Sequence, residues 1–569
     1  MNEGAQALVS VANHWLGRFE VALRSRDSAC LQSLFHADSH WRDVLALSWR
    51  IRTLSGAQSL VGALLDAQAG ATGFRVDPVR TPPRPIARAG TQCIEALFRF
   101  ETAQGPCSGV LRLLPNEGAE PTAWTLFTAL EEIKGHEEHT GRLRPTGQAY
   151  SRDFSGPNWL DLRKAAAAYA DRDPTVLVVG GGQAGLSIAA RLTQRGIDAL
   201  VVDRWPRIGD NWRQRYHALT LHNQVHVNHL PYMPFPPNWP VFIPKDKLAS
   251  WFEAYAEAME LNYWAATEFQ GGTYDDSTQR WTVTVNRHGQ TRIMHPRHVV
   301  MATGVSGIPN IPEIPALRHF RGKVIHASQY GDAAPWKGRN VLVLGTGTSA
   351  HDISQDLNGA GAHVTIVQRS PTLITNCEPS AQLVYSLYSE GPPLEDCDLI
   401  TASVPLPVAR RAHQLATRQA KDLDRELLDR LASKGFRLTD GEDATGWQFM
   451  YLTRGGGYYF NVGCSELIAE GKVGLAQYAD VEKLLPDADL VVLATGYKGQ
   501  EELVRQLFGE AMATRVGPIW GFGEGQELRN MFTRTPQPGL WFIAGSFAQC
   551  RIYSKYLALQ IQASELGLM

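Results

Sequence analysis

Two hydrophobic periods alternate along the chain, and the changes between them fall at glycines and prolines. Residues 7–24 place Leu8, Ala12, Trp15, Leu16, Phe19 and Leu23 three and four apart, one face of an amphipathic helix. A short helix over 28–35 follows, then strand-like stretches near 41–49, 74–79, 92–101, 108–115 and 122–133. Residues 136–173 are polar and rich in breakers until 156, and turn helical over 160–169; they predict a linker with a helix. From 174 the pattern becomes an apolar run at 175–179, a glycine turn and a helix over 186–194. Unbroken apolar runs of this kind predict parallel strands covered on both faces. A second run at 199–202 and further strands at 281–285 and 293–301 continue the sheet. The pattern restarts at 341–344 with another glycine turn and a strand at 364–367.

Residues 408–433 put Ala412, Leu415, Leu423, Leu427, Leu428 and Leu431 on one side of a helical stretch that stops at Gly435. Arg454 to Phe460 reads as a flexible aromatic loop. A strand at 489–493, another at 540–544 and a helix over 553–563 close the chain. The expected division is an α+β unit over 1–135, a linker over 136–173, a first dinucleotide-binding domain over 174–340 and 481–569, and a second with a helical insertion over 341–480.

The glycine turns carry the candidate chemistry. Gly180, Gly182 and Gly185 stand in G-x-G-x-x-G register with Gln183 and Ala184 between them. That register allows a tight turn, close backbone approach to a pyrophosphate and close helix–strand packing, with free helix N–H groups facing the phosphates. The next strand ends at Asp203, followed by Arg204; an acid there suits the ribose hydroxyls. Gly345, Gly347, Thr348, Ser349 and Ala350 form a second, G-x-G-x-x-A turn whose following strand ends at Arg369 without an acid. Arginine in place of the acid favours a 2′-phosphate. FAD in the first turn and NADPH in the second is the economical assignment, with NADH left open as a second donor. The plain alternative for Arg369 is a surface side chain at a strand end. Two further strands end in Ala302-Thr303-Gly304 and in Ala494-Thr495-Gly496-Tyr497, and the strand at 540–544 ends in Gly545-Ser546; small residues let a cofactor approach the carboxyl edge of a sheet.

At 569 residues the chain is too long for one core, and about three to four domains are expected. With 44% hydrophobic and 20% charged residues and a net charge of −2, it has a globular composition and no basic balance for nucleic acid or a membrane surface. No apolar run is long enough for a membrane helix and no signal core follows Met1, so a cytoplasmic protein is expected. The seven cysteines show no C-x-x-C or C-x4-C spacing, which predicts reduced thiols, no metal cluster and no dithiol beside a flavin. The run His136-Glu137-Glu138-His139 lacks metal-site spacing and reads as a solvated charge run.

These features resemble two families. Helices followed by a run of strands, with the segment Phe35 to Asp43, resemble the SnoaL-like (nuclear-transport-factor-2-like) cone; His36, Asp38 and Arg42 could line its pocket, or the domain could serve as a lid or oligomer contact. Residues 174–569 resemble the flavin-containing monooxygenases. The stretch Phe320 to Tyr330 fits that family's F-x-G-x-x-x-H-x-x-x-Y, although Gly331 and Asp332 depart from what usually follows. Gly209 to Trp212 is similar to its G-x-x-W, which includes Asn211, and Ala494 to Tyr497 to its A-T-G-Y. The N-terminal extension resembles the bacterial type II subgroup. The fold class implied is an α/β flavoprotein with two dinucleotide-binding domains behind an α+β cone.

The resemblance implies a reaction. NADPH reduces FAD, reduced flavin adds dioxygen as a C(4a)-hydroperoxide, and one oxygen atom passes to nitrogen or sulfur, or into a ketone by Baeyer–Villiger insertion, in a pocket kept dry. The alternative is an NAD(P)H-dependent flavin reductase or oxidase without oxygen insertion. The family's flavin-facing Asn falls on His222, with Asn223 next if the register slips; His222 is the candidate for positioning oxygen or substrate. His326 and Tyr330 are candidates too, read as holding the domain junction and the nicotinamide cofactor more than as taking part in chemistry. The partners implied are a small organic substrate and dioxygen, with no nucleic acid, no membrane and no metal, and a homodimer is plausible.

Overall fold

A computed structural model describes residues 3–67, 70–116, 118–146 and 154–569; residues 147–153 of the expected linker lie outside the described residues. In the N-terminal unit, helices Glu3–Ser25 and Ser28–Leu34 are joined by a third, Ala57–Asp66. They pack on one seven-stranded sheet. Its one parallel pair is Phe35–Val44 with Ala119–Leu130. Trp15, Phe19, Phe74, Phe98 and Phe100 meet in the core between helix and sheet.

The first dinucleotide sheet is parallel, in the spatial order Asn262–Trp264, Ala199–Val202, Val176–Val179, His298–Met301, Leu540–Phe542. The four strands after the edge strand Asn262–Trp264 are buried throughout, which is why they read as unbroken apolar runs. The strand expected over 293–301 is two. Gln290–Met294 belongs to a separate antiparallel sheet, and Pro296, which has no N–H to donate, precedes His298–Met301.

The second parallel sheet runs Lys323–His326, Leu490–Leu493, Asn340–Leu344, His363–Gln368, Gly474–Gln477. This corrects the expected boundaries of 341 and 480. The strand that opens the F-x-G-x-x-x-H stretch and the strand before Ala494 both belong to the second domain, because each hydrogen-bonds within its sheet. The chain enters and leaves this domain through a two-strand ribbon, Ile308–Pro309 paired with Tyr497–Lys498.

Two other expectations change. The helix over 408–433 is two helices, Leu406–Leu423 and Arg425–Ser433, broken at Asp424. The buried Asp424 carboxylate accepts from Thr375 Oγ1, Asn376 N, Asn376 Nδ2 and Ser380 Oγ, so it is spent on the neighbouring strand. The aromatic loop contains a strand, Tyr458–Asn461, paired in parallel with Leu373–Asn376, with Tyr459 and Phe460 buried.

The closing helix, Phe547–Glu565, is buried on nearly every side. Cys550, Leu557, Ala558 and Ile561 face the first dinucleotide core, whereas Ile552, Tyr556, Leu559 and Ala563 face the core of the N-terminal unit. A helix apolar all round is a helix between two cores. The N-terminal core also takes Leu399, Ile400 and Ala402 from helix Leu394–Ala402 of the insertion. Among the described residues no helix is long and apolar enough to cross a membrane.

Candidate functional site

The two glycine turns have nearly the same backbone. Gly180 and Gly345 sit at φ +108° and +123°, where a side chain would be strained. A Cβ on Gly180 would stand 2.6 Å from the Ala302 carbonyl oxygen, and one on Gly345 would stand 2.3 Å from that of Ala494. In each case the amide of the first glycine bonds the end of the next strand, at 2.9 Å to Val202 or Val367. Gly182 and Gly347 then cap helices Gln183–Gln194 and Thr348–Gly359 with extended backbone and no capping side chain, so the helix N–H groups stay available to an anion. Gly185 approaches Gly180 so closely that a Cβ would lie 1.8 Å from its carbonyl oxygen; Ala350, buried, holds the matching place in the second turn. Ala302 to Gly304 therefore serves the first turn and Ala494 to Tyr497 the second, which reassigns the latter from the FAD side.

Around the first turn, Asp203 is buried and accepts from Gly181 N at 2.6 Å and Trp205 N at 2.9 Å. Burial pushes its carboxyl above the usual range, against the pull of those two N–H groups. Two such bonds leave lone pairs for a ribose. Arg204 is exposed, its guanidinium over the Trp205 ring. The Asn211 amide lies over Gly182, and Trp212 stacks on Phe547. Gln183 Nε2 donates to the Gly545 carbonyl, and Ser546 caps the closing helix. Tyr263, which sequence reasoning missed, puts its hydroxyl over Gly181. Among the described residues, buried polar atoms without a partner include Thr303 Oγ1, Trp212 Nε1 and Asn223 Oδ1. Unpaired buried polar atoms cost about 1–3 kcal/mol each and call for a ligand or water. Together with the glycine cradle they fit FAD.

At the second turn, Thr348 Oγ1 donates to the Tyr458 carbonyl, and the Ser349 side chain makes no hydrogen bond among the described residues. Arg369 is exposed at the end of its strand and pairs with no acid among the described residues. Arg437, not singled out in the sequence, donates through Nη2 to the Arg369 carbonyl at 2.6 Å, so a second guanidinium shares this edge. The glycine cradle and two guanidinium groups that pair with no acid among the described residues fit NADPH.

Between the turns lies the junction. His222 and Asn223 are on strand Thr220–Gln224. The His222 ring meets Phe460 edge-on at 4.6 Å, and burial alone lowers it to about 4. Asn223 Nδ2 donates to the Tyr385 hydroxyl at 3.2 Å. Tyr216 bonds Asp352 on the helix after the second turn, and burial pushes that carboxyl up to about 6. His326 takes the Ser328 N–H on Nδ1, so Nε2 carries the proton and donates to the Gly496 carbonyl at 3.1 Å. Tyr330 is buried and donates to Asp356 at 2.7 Å. His326 and Tyr330 thus lie within the second domain, on partners of its own, while His222 and Asn223 face it from the first.

Two other expectations change here. Arg42 is committed to a two-pronged pair with Glu527 at 2.8 and 2.7 Å; burial pulls its guanidinium down, but Glu527 and Tyr553 outweigh that and hold it above its ordinary range, while His36 and Asp38 are exposed. Glu138 is not solvated; it binds Arg195 at 3.1 Å and accepts from Tyr232, fixing the linker to the first domain. All seven cysteines are free, and among the described residues no cluster could hold a metal.

Residues 177–388 match the family described as pyridine nucleotide-disulphide oxidoreductase. The probable indole-3-pyruvate monooxygenase YUCCA10 of Arabidopsis thaliana is 31% identical over 209 residues, 36% of this chain and 55% of its own. The indole-3-pyruvate monooxygenase YUCCA1 of Oryza sativa subsp. japonica is 32% identical over 198 residues, 35% of this chain and 48% of its own. The chain spans about half the length of these curated relatives. In structure it is similar to a cyclohexanone monooxygenase mutant from Rhodococcus sp. Phi1 bound to NADP+, with a TM-score of 0.50 at 14% identity, covering 70% of this chain and 87% of that one. In sequence the matched stretch is similar to these monooxygenases, and in structure the chain has the two-dinucleotide-binding fold.

Proposed function

We propose that this protein is an NADPH- and oxygen-dependent flavin monooxygenase that transfers one oxygen atom to a small organic substrate. The observation that carries the reading is the pair of matched glycine turns, one backed by Asp203 and the other by Arg369 and Arg437, on two domains that meet at His222. When bound, FAD supplies hydride acceptance from NADPH and activation of dioxygen.

The chain's own residues do the rest. Gly180, Gly182 and the start of helix Gln183–Gln194 hold a pyrophosphate, and Asp203 takes ribose hydroxyls. Thr303, Trp212 and Asn223 offer their free polar atoms to the FAD side. Gly345, Gly347 and the following helix hold the second pyrophosphate, with the two arginines at its 2′-phosphate. Tyr216 on Asp352 fixes the second domain against the first, while His326 on Gly496 and Tyr330 on Asp356 hold the inside of the second domain in place. Phe460, Trp447 and Tyr385 keep water from His222, which stays neutral and able to donate or accept one hydrogen bond. The lone buried thiol at this wall, Cys377, is held up at about 11 by burial, which fits neither a dithiol reductase nor a thiolate nucleophile.

The N-terminal unit is read as a SnoaL-like cone used as a brace, since it packs on the closing helix of the first domain and on helix Leu394–Ala402 of the second. A cytoplasmic setting and a homodimer complete the reading. The test is stoichiometric. With FAD-loaded protein, NADPH consumption should yield oxygenated product from a panel of sulfides, amines and ketones. Conversion of all NADPH to hydrogen peroxide with every compound would establish the oxidase alternative instead.

A further inference from the structure

The helical insertion encloses a cavity of about 220 Å³ that none of the cofactor-binding residues lines. Its walls come from strand Leu373–Asn376 and from helices Leu406–Leu423, Arg425–Ser433 and Gly446–Arg454. It is smaller than the ~300–1,000 Å³ typical of pockets for drug-sized ligands, so a compact molecule sets the scale. Leu373, Ile374, Val384, Ala416, Ala420 and Trp447 give it an apolar surface.

Its polar groups divide into spent and free. Thr375 and Ser380 are committed to Asp424. Lys421 is paired with Asp440 at 2.7 Å. Among the described residues the Asp429 carboxylate is exposed to solvent and the Thr417 hydroxyl is unpaired, and two further unpaired groups set the choice of ligand. Gln448 Oε1 is buried without a partner, and His413 makes no hydrogen bond among the described residues; burial lowers it to about 4, so it is a neutral imidazole with one donor and one acceptor. The cavity therefore offers an acceptor and a neutral imidazole but no unpaired cation. With Asp424 behind its wall and Asp429 beside it, an anion entering would gain nothing for its lost hydration.

One wall is shared with the proposed reaction site. The Trp447 ring lines the cavity and packs edge-on against Phe460 at 4.7 Å, and Phe460 in turn meets His222. Trp447 also lies 5.9 Å from Tyr385, whose hydroxyl bonds Asn223. The rings of Trp447, Phe460 and Tyr385 lie between the cavity and the strand that carries His222 and Asn223, and of these Trp447 is the one that lines the cavity.

We propose that this cavity binds the organic substrate before reaction, that it takes small neutral molecules with an apolar ring or chain and one hydroxyl or N–H donor, and that Trp447 is the partition through which they reach the reacting site. The proposal rests on the monooxygenase reading for what happens next, but not for the binding itself. Gln448 accepts from the ligand donor, His413 satisfies its oxygen or nitrogen, and carboxylates are refused.

The test is binding without turnover. Benzyl alcohol and benzoate are titrated into FAD-loaded protein without NADPH and followed by ligand-observed NMR. Benzyl alcohol should bind, and benzoate should bind about tenfold or more weakly. Ala420→Phe, which fills the cavity, should abolish benzyl alcohol binding, and Gln448→Leu should weaken it about tenfold, the loss expected for one hydrogen bond to a buried acceptor. Ala416→Phe, one turn earlier on the same face, serves if Ala420→Phe does not fold, with bound-FAD absorbance as the folding check. Undiminished benzyl alcohol binding in a folded filling variant, or benzoate bound as tightly as the alcohol, would overturn the proposal. Binding that obeys these rules in a protein that transfers no oxygen would support the cavity and overturn only the monooxygenase reading. Oxygenation of neutral alcohols with an unchanged KM in the filled variant would do the reverse.

Discussion

Replacing Arg369 by alanine should change which nicotinamide cofactor the protein uses, and the structure sets the size of the change. Arg369 ends strand His363–Gln368, and the Arg437 guanidinium is held against its carbonyl. Neither pairs with an acid among the described residues, so two unneutralised cations face the place where a 2′-phosphate would sit. A hydrogen bond to a charged group is worth about 1.5–3 kcal/mol. Both side chains are exposed and salt screens them, so the lower part of that range applies. Since about 1.4 kcal/mol is tenfold at 25 °C, Arg369→Ala should raise the Kd for NADPH by roughly 10- to 30-fold. NADH, with no phosphate there, should change by less than about twofold. The assay is stopped-flow reduction of the bound flavin with each donor, repeated from low to high ionic strength. Wild-type affinity for NADPH should fall with salt, and the variant's should fall less steeply. Equal losses for the two donors, or an unchanged preference for NADPH, would show that this edge does not read the phosphate.

Three further outcomes are expected. Gly180→Ala should lose FAD, because the new Cβ meets the Ala302 carbonyl at 2.6 Å in a backbone conformation costly for any side chain; flavin absorbance after desalting reads this, and NADPH binding to the second domain should survive. His222, His229, His351 and His413 are each lowered to about 4 by burial. The unfolded chain binds more protons than the folded one between about pH 6.5 and 4, so stability should fall as pH drops through that window, by up to about 1.4 kcal/mol per pH unit for each histidine; urea titrations of His413→Phe should show a shallower slope, and an unchanged slope would remove His413 from the account. Glu527→Ala should cost about 3 kcal/mol by leaving Arg42 buried and uncompensated, whereas the double change Arg42→Met, Glu527→Leu should come back toward neutral in the same urea assay.

The glycine turns were legible because Gly180, Gly185 and Gly345 leave no room for a Cβ, and their structural context follows from fully apolar strands on either side. Arg369 was legible by contrast with Asp203. The division between the domains was not. Local pattern shows that 323–326 and 490–493 are strands but not which sheet their hydrogen bonds join, and partner choice is a long-range property. The break at Asp424 was hidden for a similar reason. Its helical surroundings are strong, and only the donors of strand Leu373–Asn376 and Ser380 make it worth leaving the helix. Tyr458 to Phe460 follows three glycines and looks like a loop until its partner strand is known. Tyr263, Arg437 and Trp447 carry no motif at all and enter the site by packing. Arg42 carried the opposite lesson: its neighbours suggested a pocket, but the bond to Glu527 joins segments far apart in the chain.

The ribbon of Ile308–Pro309 with Tyr497–Lys498 makes the second domain a cassette whose two ends meet. Asn310 and Thr495 latch those ends with reciprocal bonds, Asn310 Nδ2 to the Thr495 carbonyl and Thr495 Oγ1 to the Asn310 carbonyl. The first domain must pair His298–Met301 with Leu540–Phe542 across everything inserted between them. Once the latch is shut, that chain no longer counts as free loop. The entropy of closure is then set by the short paths outside the ribbon, and loop-closure cost grows with the logarithm of length. Assembly of the last strand of the first sheet thus depends on the order already present in its guest, so that the host domain is completed by what interrupts it.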